Sequence, residues 1–216
     1  MYLFEWFNQI DKILFTFIHR DMSARWLDAI MLLMRNQYTW IPLYVFMLIW
    51  TLRLDRPTGL KFICLTILCF AITDYTSSGI LKFHFERLRP CYDEDLTTVV
   101  RGIIGCGGKY SFPSSHAANH FGLATFWFFT INHITRQKWY WLWLWAFLIG
   151  LAQVYVGKHF PFDIIAGAAL GIITGVCMYK LFEAWIKRDY DRYIKNSVIL
   201  NQEAIGAWLH EVRGTR

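Results

Sequence analysis

Five stretches of this chain are apolar for long enough to cross a hydrocarbon layer of roughly 30 Å, and this narrows the possible folds more than any other feature. They run about Tyr38–Leu54, Leu60–Lys82, His116–Ile134, Trp139–Val156 and Phe162–Phe182. Hydrophobic residues make up 56% of the 216 residues and charged residues only 18%, which separates the chain from soluble globular domains. The expected fold class is all-α, a polytopic membrane helix bundle of about five to six transmembrane helices. A single domain is expected over residues 1–216, with its core at 38–182, an amphipathic segment at 1–37 and a polar helical tail at 183–216. The last apolar run carries Gly167, Gly171 and Gly175 at four-residue spacing, a small-residue face suited to close helix packing.

The N-terminus is amphipathic rather than a signal peptide. Glu5, Asn8, Gln9, Asp11 and Lys12 interrupt its apolar residues, and no small-residue cleavage site follows. Phe7, Ile10, Leu14, Phe17 and Ile18 recur at helical spacing, which predicts a helix lying at the membrane interface. A second such helix is expected over Ala24–Met34. The net charge of +6 suits anionic headgroups and a cytoplasmic charge bias, so no nucleic-acid partner is expected.

Basic residues orient the chain. Arg53, Arg56, Lys61, Arg136, Lys138, Lys180, Lys187, Arg188, Arg192 and Lys195 fall on one face, which the positive-inside rule makes cytoplasmic. The long Phe83–Ser115 loop and the short Gly157–Pro161 connection then face the periplasm or exterior. Cys91 and Cys106 lie in that long loop, where an oxidising compartment would let them pair; two free thiols are the alternative. His19, His84, His133 and His210 read as interfacial or solvated. The run WYWLWLW, Trp139 to Trp145, reads as an interfacial aromatic belt.

Three polar clusters converge on the outward face: KFHFERLRP at Lys82–Pro90, SFPSSHAANH at Ser111–His120, and GKHFPFD at Gly157–Asp163. Each has a physical reading. A helix starting near Ser114 presents unpaired N–H groups and a positive dipole end, both suited to phosphate. Lys82 and Arg89 supply fixed charge, and an arginine can grip two oxygens at once. A neutral His159 is a plausible nucleophile whose other nitrogen Asp163 can hold, leaving His116 to protonate a leaving oxygen. Asp74, a carboxylate inside the second span, is either an orienting group or a buried structural one. His116 and His120 are four apart on one helix, but no third ligand accompanies them, so no metal site is expected.

These blocks resemble the type 2 phosphatidic acid phosphatase superfamily, which includes bacterial lipid phosphate phosphatases and, more distantly, glucose-6-phosphatase and vanadium haloperoxidases. The family pattern is K-x6-R-P, then P-S-G-H, then S-R-x5-H-x3-D. This chain supplies Lys82, Arg89 and Pro90, then Pro113, Ser114, Ser115 and His116, then His159 and Asp163, within a region of about Leu60–Phe182. The resemblance implies that His159 forms a phosphohistidine, Asp163 orients it, and His116 acts as general acid and then activates water. It implies that Lys82, Arg89, Ser114 and the N–H groups near Ser115 and His116 hold the phosphoryl oxygens, without a metal or cofactor. The implied substrates are lipid phosphates or diphosphates of the undecaprenyl diphosphate, phosphatidic acid, phosphatidylglycerol phosphate or lipid A type.

Two positions depart from the pattern. Ser115 replaces a glycine, which leaves the backbone N–H in place. Ala152 and Gln153 stand where Ser-Arg is expected, so a phosphate-binding arginine is missing. Losing one transition-state donor typically costs about 10²–10³ in rate. Lys158 is expected to compensate first, with Arg87 or Arg101 as alternatives. The loss also keeps open a lipid-linked phosphotransferase, or a weakened binding or transport protein. The sequence specifies no oligomeric state.

Overall fold

A computed structural model describes the backbone of residues 2–214 and the side chains of residues 5–197 and 202. His210 lies outside these side chains. The helices are α1 (Tyr2–Thr16), α2 (Arg25–Arg35), α3 (Ile41–Leu52), α4 (Arg56–Asp74), α5 (Lys82–Phe85), α6 (Ser115–Thr135), α7 (Trp141–Tyr155) and α8 (Pro161–Gly214). Wider π-helical turns at Phe17–Asp21 and Tyr75–Leu81 extend α1 and join α4 to α5. Among the described residues, extended pairing is limited to an isolated antiparallel bridge between Leu88 and Tyr110. The chain divides into two units, residues 1–179 and 180–216. Within the second, Lys180 and Glu183 form an ion pair of 2.9 Å on one helical face.

In the first unit α6 is the central helix, packed against α4 and α7. Gly167, Gly171 and Gly175 of α8 lie against its backbone: a Cβ at these positions would collide with the carbonyls of Ser114, Ala118 and Gly122 in turn. The four-residue glycine spacing therefore does what the sequence suggested. Among the described residues two helical stretches are long and apolar enough to cross a membrane, Arg56–Phe85 and Pro161–Ser197, and α7 is a shorter apolar helix. Large apolar side chains stay exposed along the flanks, among them Leu48 and Ile49 of α3, Ile67 of α4 and Phe147 of α7. In water such a surface would be costly; in lipid it is the expected outer face.

The N-terminal helices refine the interfacial expectation. Phe7, Leu14 and Phe17 are exposed, whereas Asp11, Phe15 and His19 are fully buried. Most of the apolar stripe thus points away from the bundle while Asp11 points into it; Ile18 of the stripe packs on the buried core. This corrects the reading of His19 as solvated. Its Nδ1–H donates to the Tyr155 carbonyl at 2.7 Å, and its Nε2 accepts the Arg101 N–H at 2.9 Å. The aromatic belt is corrected in part. Tyr140 and Trp141 are exposed, but Trp145 is buried and stacks on Trp127 with ring centroids 5.9 Å apart.

Candidate active site

The turn between α7 and α8 presents His159. The amides of Lys158 and His159 both donate to the Gln153 carbonyl, at 3.0 and 3.3 Å, which folds the chain back sharply. Gly157 makes the turn with φ of +85°, where an L side chain is strained; a Cβ there would also approach the His19 ring to 2.9 Å. Pro161 then opens α8, where its missing N–H costs nothing, and Asp163 falls in the first turn. His159 Nδ1 faces Asp163 Oδ2 at 3.4 Å and makes no closer polar contact among the described residues. Burial holds the His159 pKa down at about 4, against the opposing pull of Asp163, so the ring is neutral near pH 7. With Nδ1 turned to Asp163, Nε2 is the nitrogen left for attack.

Asp163 ties the blocks together. Its Oδ2 accepts the Phe160 amide at 2.9 Å, its Oδ1 pairs with Arg87 at 2.8 Å, and its carbonyl accepts the Ser114 amide at 3.0 Å. Ser114 is the N-cap of α6, its hydroxyl accepting from the Ala117 N–H at 3.4 Å. The cap uses the hydroxyl as an acceptor and leaves its O–H as a donor for a phosphoryl oxygen. The Ser115 and His116 amides fall among the first N–H groups of the helix, which have no partner within it. Ser115 Oγ is buried without a partner. His116 is within electrostatic reach of His159 and Lys82, and Lys82 of Arg89 and Asp163. Arg89 donates to the Lys158 carbonyl at 3.5 Å and keeps a buried, unpartnered Nε.

The three charges expected to compensate for Gln153 all have protein partners. Lys158 Nζ donates to the carbonyls of Gly105 and, at 2.6 Å, Cys106, so its charge is spent pinning the long loop. Burial lowers its pKa to about 8, helped by Arg89 and Arg35. That loop is closed by a Cys91–Cys106 disulfide with Cα atoms 6.0 Å apart. Arg101 pairs with Asp28 at 2.9 Å. Arg87 bridges Asp163 and Asp11, and its guanidinium lies 4.2 Å from the centre of the Phe160 ring. Gln153 is buried, with an Nε2 that makes no hydrogen bond.

Several contributing residues carried no motif signal. Asp11 accepts the Phe162 amide at 2.9 Å and Arg87 at 2.7 Å, so α1 braces the start of α8; burial raises its pKa and Arg87 opposes the shift. A charged residue within an otherwise apolar stretch was the available clue. Asp74 accepts from Asn119 at 2.9 Å, and Asn119 in turn accepts from Thr73 at 2.8 Å, which makes the carboxylate a link between α4 and α6. His120 donates through Nδ1 to the His116 carbonyl at 2.8 Å, a helix-packing role. A cavity of about 630 Å³ opens beside the site. Arg35, Asp74, Ser115 and His116 are among the residues that line it, together with Ile41, Ile67 and Phe70, all exposed on the bundle flank.

Comparison with known proteins accounts for this arrangement. The PAP2 superfamily model matches residues 62–187, more than half of the chain. The chain is 31% identical to the lipid A 4′-phosphatase of Porphyromonas gingivalis, over 82% of its own length and 75% of that protein. It is 32% identical to the lipid A 4′-phosphatase of Bacteroides thetaiotaomicron, over 82% of its length and 79% of that protein. The crystal structure of Aquifex aeolicus LpxE superposes with a TM-score of 0.57 at 29% identity, covering 77% of this chain and 93% of that one. With matching blocks, order and helical frame, the chain belongs to the PAP2 superfamily, in its branch of membrane lipid phosphatases.

Proposed function

We propose that this lipid phosphatase removes a phosphate from a lipid A-type substrate, at a site facing the periplasm, through a phosphohistidine on His159. The observation that carries the substrate class is the likeness to two lipid A 4′-phosphatases over 82% of the chain. The flank cavity supports a lipid substrate, since its lining combines exposed apolar side chains such as Ile67 and Phe70 with His116 and Ser115. A disulfide in the long loop fits an oxidising compartment and hence the outward orientation.

In the first step Nε2 of His159 attacks phosphorus as the bond to the lipid oxygen breaks. His116 gives that oxygen its proton, and Asp163 stabilises the cationic imidazole. In the second step His116 takes a proton from water, which attacks phosphorus and frees His159. Lys82, Arg89 and the amides opening α6 hold the non-bridging oxygens, whose charge grows in the transition state. Purified protein offered lipid A, phosphatidylglycerol phosphate, phosphatidic acid and undecaprenyl diphosphate should release phosphate fastest from lipid A. Preference for another lipid overturns the substrate assignment. Equal release by His159→Ala overturns the phosphohistidine. A reporter inserted between residues 97 and 105 should be exported, and a cytoplasmic signal reverses the orientation.

A further inference from the structure

The family pattern asks for three cations around phosphate, and this chain supplies two of them, Lys82 and Arg89, at the motif positions. Each charge named above as a replacement for the third is engaged: Lys158 by loop carbonyls, Arg87 by two aspartates, and Arg101 by Asp28. Arg35 differs from all of them. Among the described residues it has no carboxylate partner and no hydrogen bond, and its Nε is buried. It lines the same cavity as Ser115 and His116, with Asp74, which accepts from Asn119, also in the lining. Its charge is felt at His116, Arg89 and Lys158, all of them part of or next to the motif blocks.

Helix geometry explains how a residue outside the motifs comes to be there. Arg35 ends α2, one turn beyond Met31 and on the same face. Met31 packs with Ala152, Tyr155 and Val156, the end of α7 that carries Gln153. The helix is firmly held in this position. Asp28 accepts from Arg101 and, at 2.7 Å, from the Tyr155 hydroxyl, and the Trp40 indole donates to the Met34 carbonyl at 2.8 Å. A partly buried guanidinium near like charges, with no carboxylate paired to it among the described residues, is stabilised when an anion binds.

We infer that Arg35 is a ligand for the substrate's phosphoryl oxygens, and that it shares with Gln153 the work of the missing arginine. Gln153 keeps a neutral N–H donor at the motif position, where its Nε2 has no protein partner. Arg35 brings the charge from a different helix. The amphipathic N-terminal segment is then part of the phosphate site as well as a membrane-surface element. This inference rests on the phosphatase reading.

The test moves the charge back to the motif. Full-length wild type, Arg35→Gln, Arg35→Lys, Gln153→Arg and the double variant Arg35→Gln/Gln153→Arg are compared by kcat/KM on lipid A and by the rise in Tm with inorganic phosphate. Arg35→Gln should lower kcat/KM by about 10²–10³ and abolish the phosphate-dependent rise in Tm. Arg35→Lys should fall between, because a point charge cannot grip two oxygens. The double variant should recover at least about tenfold over Arg35→Gln, a larger gain than Gln153→Arg gives in the wild-type background, and a purely structural role for Arg35 does not allow that excess. Phosphate affinity unchanged in Arg35→Gln, or no such excess in the double variant, overturns the inference. The Tm arm needs no lipid, so it separates this outcome from failure of the phosphatase reading, in which wild type releases no phosphate from any lipid.

Discussion

The two halves of the site are built in opposite ways. The motif half, from Lys82 through the α6 cap to the turn at His159, carries the groups proposed to act on phosphate, at spacings fixed along the chain. The N-terminal half, α1 and α2, has no motif spacing, yet its Asp11, His19 and Arg35 reach the same place. Asp11 holds Arg87, which holds Asp163, which faces His159. His19 fills the space left by the absent side chain of Gly157. The contrast teaches that the reacting groups are conferred by local sequence, while the charges and packing that keep them usable come from a distant segment.

The comparison breaks first at the nucleophile. His159→Ala should lower kcat by roughly 10⁴–10⁶ in a phosphate-release assay, the scale seen when a nucleophile is deleted from a coupled set. A fall of less than about tenfold would place the chemistry elsewhere. Next, Arg87→Ala removes a group outside the motif spacing and strands two buried carboxylates, a loss expected to cost about 3–5 kcal/mol in unfolding free energy. Asp11→Asn should show the same dependence in milder form, with lower kcat and little change in KM. If kcat in Asp11→Asn matches wild type, α1 is only a membrane anchor.

Smaller effects sharpen the comparison. Gly171→Ala places a methyl group against the Ala118 carbonyl and within 2.7 Å of the Gly122 amide. Backbone cannot yield as a side chain can, so thermal unfolding should show a loss of about 1–3 kcal/mol. The smallest expected effect is a pH dependence from His19. Burial lowers its folded-state pKa below 6.5, with Arg101 pushing the same way and the Tyr155 carbonyl and Asp28 opposing. The unfolded chain therefore binds the proton more readily. His19 contributes full stability above pH 6.5, and that contribution drains away as the pH falls toward the lowered value. His19→Gln should flatten the slope of Tm against pH between 6.5 and 5, and an unchanged slope would remove His19 as its source.

Sequence reading succeeded where one short segment contains the whole cause. The run of apolar residues after Pro161 requires a helix, and Gly167, Gly171 and Gly175 share one face of it by helical arithmetic. Ser114 caps α6 because its own geometry allows nothing better. His159 and Asp163 lie one turn apart across a helix-starting proline, so their pairing was legible from spacing. By the same logic the chain itself determined an all-helical membrane bundle and its family.

Tertiary structure alone decided which charges are available. Lys158 neighbours the nucleophile in sequence, yet its four-carbon stem carries the charge to the carbonyls of Gly105 and Cys106. Arg35 lies 118 positions before Gln153, and only the packing of Met31 on Ala152 brings its helix to that end of α7. An amphipathic pattern reports that a helix has two faces; which of them meets protein depends on what the bundle offers. Here the apolar stripe of α1 turned outward and its aspartate inward, because Arg87 and the Phe162 amide were waiting for a carboxylate. Burial and pairing are properties of neighbours far apart in the chain, and no local spacing encodes them.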